Sequence, residues 1–204
     1  MSLSATALVT LDQTFAHLGW GAGTHGEDVA NLEAAIESAS VTLNGLIGCT
    51  LAKTTYTATK IDGSGKAYLF LPAWPVTTLT SITEDDVLLV KDTDYYADIT
   101  WGILEKAKWN WPWYDIQARW TSRRQGILFV GIAGYDIVGT LTNPLPGDIK
   151  QACLMQSAEF WKRTKDKSWG ETSKTIGGQT TTYNDKEVLP FVEMVARKYR
   201  RIQI

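Results

Sequence analysis

Apolar residues recur at spacings of three and four towards both ends of the chain and alternate with polar residues in between. Near the N-terminus, Thr10-Leu11-Asp12-Gln13 is a capping box, which predicts the start of a first helix. A second capping box, Thr24-His25-Gly26-Glu27, precedes an apolar stripe at helical spacing: Val29, Leu32, Ile36, Ala39 and Leu43. The glycine-rich link between the two predicts a turn rather than a phosphate-binding loop, because no strand precedes it.

The longest helical pattern spans residues 144–165, and the rest of the chain is organised around it. Pro144 and Pro146 stop the preceding segment, and Asp148 is predicted to cap the new helix. A helix that is apolar on two sides must be covered on two sides. One apolar face carries Ile149, Cys153, Gln156 and Phe160, and the other carries Leu154, Ala158 and Trp161. Two interpretations stand equally: a core helix of a monomer, or a helix covered on one side by a neighbouring subunit.

From Thr54 to about Tyr135 the pattern changes to period two, which predicts β-strands. Segments 54–59 and 66–71 flank Asp62-Gly63-Ser64-Gly65 and predict a hairpin. Glu84-Asp85-Asp86 predicts a polar turn between two further strands. The run Ile127–Ile132 is apolar on both faces and therefore predicts a central strand.

These patterns predict a single α+β domain over residues 1–204. Residues 1–50 and 141–204 are expected to form a helical bundle, with an antiparallel β-sheet region, residues 51–140, inserted between them. The polar segment 166–187 is predicted to be a flexible loop that orders on binding a partner, because it cannot bury enough apolar surface alone. Residues 188–204 form the predicted C-terminal helix and tail. This segment has an apolar stripe of Val192, Val195, Tyr199 and Ile202 opposite the basic residues Arg197, Lys198, Arg200 and Arg201.

Charge is segregated along the chain although the formal net charge is only −2. Residues 1–52 contain no Lys or Arg, whereas residues 159–204 carry ten Lys or Arg against six Asp or Glu. This asymmetry suggests oriented contacts, unless folding mixes the two ends in space. The N-terminus lacks the basic start of a signal peptide, and no apolar run is long enough for a membrane span. We therefore expect action in the cytoplasm, or in a particle assembled there, without a membrane.

Candidate catalytic residues are scarce in this sequence. His17 and His25 have no partner at a recognisable spacing and are predicted to be solvated. Cys49 and Cys153 form no CxxC pair, which excludes a disulfide scaffold and a zinc cage built from cysteines. The acidic turn lacks the glycine and terminal glutamate of a calcium loop. The sequence therefore predicts no enzyme, no cofactor and no metal site.

The most unusual local run is aromatic and consists of Trp109, Trp111, Trp113 and Tyr114. These side chains are interpreted as packing, or as a contact with a tail protein or a neighbouring subunit, since interface cores favour Trp and Tyr. They could also stack on sugars, which gives a second hypothesis: an aromatic-lined glycan-binding module of a phage or bacterial surface protein. A small hydrolase with an unrecognised site is the third hypothesis.

The order of elements resembles that of the head–tail connector (adaptor, head-completion) proteins of tailed bacteriophages. The resemblance spans nearly the whole chain. Its pieces are Thr10–Leu18, Glu27–Ala39, Thr55-Tyr56-Thr57, Leu71–Val76, Ser81-Ile82, Gly134-Tyr135, Leu145–Ala152 and Leu189–Ile202. The size of the β region and the tryptophan run depart from the family pattern.

The resemblance implies a structural virion protein of the neck, assembled in the host cytoplasm. Such subunits form a ring, usually of twelve copies, beneath the portal; the ring joins the DNA-filled capsid to the tail and lets DNA pass without sequence-specific binding. The implied partners are the portal protein, further copies of the chain and a downstream neck or tail protein. The expected portal-docking residues are Arg197, Tyr199, Arg200, Arg201, Ile202 and Ile204. The expected subunit interface contains Ile149, Cys153, Phe160 and Trp161.

Overall fold

A computed structural model describes residues 3–21, 27–107, 109–111, 114–116, 118–138, 142–166, 173–176, 179–182 and 188–200. The chain divides into two compact units: a helical unit, residues 1–48 and 145–204, and a β unit, residues 49–144. The helices are α1 (Leu11–Leu18), α2 (Glu27–Ile47), α3 (Gly147–Asp166) and α4 (Pro190–Tyr199). The strands are β1 (Thr54–Ile61), β2 (Tyr68–Phe70), β3 (Val76–Glu84), β4 (Val87–Leu89), β5 (Tyr95–Asp98), β6 (Ile103–Lys106), β7 (Trp109–Trp111), β8 (Tyr114–Ile116), β9 (Ile127–Ala133), β10 (Ser173–Ile176) and β11 (Gln179–Thr182). The predicted α+β class is therefore confirmed.

The first helix begins at the predicted capping box. The Gln13 backbone N–H donates to the Thr10 hydroxyl, and the Thr10 backbone N–H donates to the Gln13 side chain, both at 3.3 Å. The helix ends at Gly19, whose φ of 71° lies in the left-handed region. The second capping box falls largely outside the described residues, although α2 does begin at Glu27.

The core of the helical unit lies around α3, which packs against α1, α2 and α4. Its buried apolar side chains include Leu8, Leu32, Ile36, Leu43, Ile149, Ala152, Val192 and Val195. A polar contact also orders this core. The Leu8 backbone N–H donates to the Ser40 hydroxyl at 3.1 Å, and that hydroxyl donates to the Ile36 carbonyl. The segment before α1 is thereby attached to α2.

The β unit contains an antiparallel four-stranded sheet in the order β1-β9-β3-β4 and a three-stranded sheet in the order β2-β6-β5. As predicted, the apolar strand β9 is central, and its side chains Ile127 and Phe129 are fully buried. Asp85 and Asp86 make the predicted turn between β3 and β4, and both have positive φ. Aspartate tolerates this conformation better than most residues, so the acidic turn has a local structural cause.

The hairpin predicted between residues 54–59 and 66–71 is wrong. Strand β1 pairs with β9, whereas β2 pairs with β6 in the other sheet. The intervening glycines bond elsewhere: the Gly63 N–H donates to the Arg123 carbonyl, and the Gly65 N–H donates to the Thr121 carbonyl. The glycine-containing segment does separate two strands, as the sequence indicated. Each of these strands, however, pairs with a distant segment of the chain rather than with the other.

The segment predicted as a flexible loop contains a β-hairpin. Strands β10 and β11 pair antiparallel, from Ser173 opposite Thr182 to Ile176 opposite Gln179. In the sequence, Gly177 and Gly178 separate the two strands. Gly-Gly between two Thr-rich runs is typical of a β-hairpin, but a prediction based on polar composition does not use this local pattern. The rest of residues 167–187 lies outside the described residues.

Gly131 is expected to be a position where the β unit accepts no side chain. A Cβ built there would lie 2.4 Å from the Thr78 carbonyl oxygen and 3.0 Å from the Phe129 ring. Gly131→Ala should lower the free energy of unfolding by about 1–3 kcal/mol, because the sheet must shift to relieve the overlap. Gly45→Ala, in the open on α2, is the matched control. It should be neutral, or stabilising by up to about 1 kcal/mol. Equal losses for the two variants in urea unfolding would contradict this packing.

Candidate functional site

Helix α4, the predicted docking element, is attached to α3 at both ends. Near its start, the Leu189 backbone N–H donates to the Gln156 side-chain oxygen at 3.1 Å. Near its end, Lys198 and Tyr199 both bond to the Asp148 carboxylate at 2.8 Å. Because the end of α4 meets the start of α3, the two helices run antiparallel. The buried stripe of α4 then faces the core of its own unit.

Asp148 lies inside α3 rather than at its N-cap position, contrary to the sequence-based prediction, although its carboxylate accepts from the Ile149 backbone N–H at 3.0 Å. The helix begins one residue earlier, at Gly147, and the Pro146 carbonyl accepts from the Lys150 N–H. Asp148 therefore lies in the first helical turn, where a carboxylate is stabilised by the positive end of the helix dipole. Its oxygens are directed to α4, and we call its contacts with Lys198 and Tyr199 the clasp. No local sequence signal links residues fifty positions apart.

The clasp changes the titration of all three groups. Burial raises the pKa of Asp148, but the hydrogen bonds from Lys198, Tyr199 and the Ile149 N–H, together with the Lys198 charge, lower it overall. The hydrogen bond to Asp148 raises the pKa of Lys198, and burial and then the same carboxylate raise the pKa of Tyr199. The charged pair is therefore the favoured state of the folded protein near neutral pH.

Some residues at the basic end of α4 contact the chain itself, and others are exposed to solvent. Tyr199, predicted to dock on the portal, is half-buried and bonded to Asp148. Arg197 and Arg200 are exposed, so their guanidinium groups are available to a partner. Arg201, Ile202 and Ile204 of the predicted docking set lie outside the described residues. The clasp thus holds the last helical turn from which this tail continues.

Two of the four predicted interface residues on α3 belong to the chain's own core. Ile149 and Cys153 are fully buried, which is the monomer-core alternative that the sequence left open. Burial raises the pKa of the Cys153 thiol to about 11, so the thiol stays protonated. Its sulfur lies 3.7 Å from the Ser40 hydroxyl oxygen. The prediction that Ile149 and Cys153 contact a neighbouring subunit is therefore corrected.

The other two predicted interface residues lie at the border of this core. Phe160 is nearly buried and lines a groove of about 310 Å³ between α2 and α3. Trp161 packs edge-on against Trp20, with ring centroids 4.9 Å apart, and the Lys165 ammonium lies 4.7 Å from its ring. Lys165 also pairs with Asp28 at 3.7 Å, so acidic and basic ends of the sequence partly meet within the unit.

The aromatic run is divided between two short strands. Trp109 and Trp111 lie in β7 and Tyr114 lies in β8, and Trp109 pairs with Ile116. Trp113 lies outside the described residues. The structure describes the backbone pairing of these strands, and the predicted contact with a tail protein or neighbour remains a prediction.

The described residues contain no cluster of metal ligands and no membrane-spanning helix. In the described part of the chain, no three His, Cys, Asp or Glu side chains converge as metal ligands do. Within the same residues, no helix combines the length and the apolar character needed to cross a membrane. His17 lies exposed in the last turn of α1, and His25 lies outside the described residues.

Comparison with known proteins gives a family and a fold. Residues 8–202 match the sequence profile of a family described as head completion protein. A chain in the neck of an empty gene transfer agent (GTA) particle, computed with sixfold symmetry, is 18% identical with a TM-score of 0.53. A chain in the virion of a native GTA particle is 16% identical with a TM-score of 0.52. Both comparisons cover 100% of this chain and 94% of the other. No curated protein matches the chain.

We expect Asp148→Asn to loosen α4 without unfolding the rest of the helical unit. Lys198 is largely exposed, so the loss in stability should be small. Folding lowers the pKa of Asp148 below its ordinary value of 3.8. The stabilisation is therefore fully present at pH values above 3.8, and it is lost as the pH falls through the lowered pKa of the folded protein. Asp166→Asn, at the exposed far end of α3, is the control. Amide exchange should become faster in residues 190–199 for Asp148→Asn only; unchanged exchange there would refute the clasp.

Proposed function

The chain belongs to the head completion protein family, with residues 8–202 matched, and from this premise we propose that it is a structural subunit of a virion neck. The resemblance seen in the sequence is confirmed by this family match. In the proposed role, copies of the chain complete the DNA-filled head and connect it to the tail. The observation that carries the proposal is the family match over residues 8–202, since it includes both the helical unit and the β unit.

The subunits would be arranged as a ring beneath the portal, with DNA passing through its centre. The support for a ring is the neck of similar fold that was computed with sixfold symmetry. A ring of identical subunits needs two different, complementary surfaces on each copy. The count of twelve, the downstream neck or tail protein and the DNA channel are carried over from the family resemblance and are part of the proposal. The role is structural rather than catalytic, and the helices would form the bundle that supports the ring.

The C-terminal segment would dock the subunit onto the portal protein. Arg197, in the last turn of α4, and Arg200, directly after the helix, are exposed, while the Asp148 carboxylate is bonded to Tyr199 and Lys198. Exposed charge pairs contribute only about 0–1 kcal/mol each, so the apolar side chains Ile202 and Ile204 would supply most of the affinity. Repetition around a ring strengthens weak contacts through effective concentration. The same arginines would retard a passing duplex if they faced it, which argues against a DNA contact.

The buried part of the apolar stripe of α4 packs within the chain. Val192 and Val195 are buried in the helical unit, so they anchor α4. Lys198 and Tyr199 are likewise part of the clasp. The proposed docking surface is therefore narrower: the exposed Arg197 and Arg200 with the tail that follows them.

Removing residues 201–204 should abolish portal binding while leaving the fold intact, because this truncation spares α4 and the clasp. The measurement is binding of the purified subunit to portal rings, together with particle assembly in the host. Assembly should stall at DNA-filled heads without tails. Arg197→Glu with Arg200→Glu should weaken binding, whereas Lys162→Glu, exposed on α3, is the charge control. If the truncated chain binds portal normally and only DNA retention changes, the docking proposal is wrong.

A further inference from the structure

The four-stranded sheet of the β unit ends in two edge strands of opposite character. Strand β4 carries the exposed apolar side chains Val87 and Leu88, and Val90 follows directly; these residues are 62%, 64% and 58% exposed. Strand β1, at the other end of the sheet, presents mainly polar side chains, with Thr55, Thr57 and Lys60 exposed. An exposed apolar edge is a template for pairing with another strand.

The directions of the strands allow such pairing between copies. Each neighbouring pair in the order β1-β9-β3-β4 is antiparallel, and the number of strands is even. The two edge strands therefore run in opposite directions. If β4 of one copy lay beside β1 of the next, the antiparallel alternation would continue without interruption. The joint would be head-to-tail, using a different surface on each side.

The charges at the ends of the two edges are also complementary. The turn residues Asp85 and Asp86 come directly before β4, and Lys60 lies near the end of β1. In an antiparallel joint the start of β4 meets the end of β1, so Asp86 would approach Lys60. Within the described part of the chain, neither side chain is engaged in an ion pair, and both are exposed. Opposite charges that face each other across strands stabilise the pairing.

We propose that successive copies of this chain join through their sheets, with β4 of one copy beside β1 of the next. The inference rests on the proposed ring and identifies the surface that forms it. The joint covers the exposed side chains of Val87, Leu88 and Val90. It also pairs backbone groups of strands β4 and β1 that have no partner within the described part of the chain. Lys60 has a second effect, since a lysine on an edge strand discourages pairing with edges that lack an opposing carboxylate.

A two-fold joint, with β4 beside β4, is the main structural alternative. There Asp86 of each copy would approach Lys91 of the other, because Lys91 follows β4 and is exposed. Such a joint closes after two copies and cannot build a ring. The two arrangements differ in which lysine opposes Asp86, so charge exchange distinguishes them.

The test is incorporation of variant chains into assembled particles, measured by quantitative mass spectrometry relative to the portal protein. Asp86→Lys alone and Lys60→Asp alone should each reduce incorporation about tenfold or more, because a like-charge contact recurs at every joint. The double variant restores opposite charges at each joint and should recover incorporation. Asp166→Lys, an exposed charge reversal on α3, should incorporate like the parent chain. Thermal unfolding of the isolated variants verifies that each is folded.

Other outcomes overturn the proposal in distinguishable ways. Recovery of Asp86→Lys by Lys91→Asp instead of Lys60→Asp would show a two-fold joint. Normal incorporation of both single variants, with the parent chain present in the neck, would remove the edge joint but leave the proposed function intact. Absence of the parent chain from particles would defeat the proposed function itself, and the joint with it.

Discussion

The fold depends on one constraint. The β unit is inserted within the sequence of the helical unit, so the first and last residues of the β unit must lie close together in space. Backbone pairing around Tyr135 meets this requirement, because its N–H donates to the Leu51 carbonyl at 2.7 Å and its carbonyl accepts from Lys53 at 2.9 Å. Gly134 permits this approach. Its φ is 107°, and a Cβ there would lie 2.5 Å from the Ala52 carbonyl oxygen.

The carboxylate of Asp136 secures the same junction. It accepts from the Lys53 ammonium at 2.8 Å and from the backbone N–H groups of Thr142 and Asn143 at 2.9 and 3.0 Å. The hydrogen bond from the Asn143 N–H, and after it the hydrogen bond from Lys53, lower the pKa of Asp136. The Asp136 carboxylate therefore stays charged at neutral pH. With both ends of the insertion together, α2 and α3 pack against each other although about a hundred residues separate them.

The sequence predicted what local chemistry determines. The Thr10 capping box, the acidic turn at Asp85-Asp86 and the central position of the Ile127–Ile132 strand are each governed by neighbouring residues or by an unbroken apolar run. Long-range partners escaped prediction. Strand β1 pairs with β9 rather than with the next strand along the chain. The two apolar faces of α3 could both be covered by the same chain, or one of them by a neighbouring subunit. The periodicity of apolar residues is the same in both cases, so it does not distinguish them.

The same limit applies to the candidate site. Exposed basic residues at the end of α4 follow from helical periodicity, but the role of Asp148 depends on where α4 lies against α3. Likewise, the sequence of β4 predicts a strand but not its place in a sheet. The order of strands in the sheet is what identifies β4 as an edge with exposed apolar side chains. The surfaces proposed here for docking and for the joint between copies therefore depend on tertiary structure.

Electron cryo-microscopy of the neck in assembled particles containing this chain is the most direct test of the proposed function and of the joint. We predict a closed ring of copies between portal and tail, with the basic end of α4 against the portal and β4 of each copy beside β1 of the next. A neck map without the chain would contradict the proposed function. A ring whose copies have the ends of α4 facing the DNA channel would contradict the assignment of the docking surface.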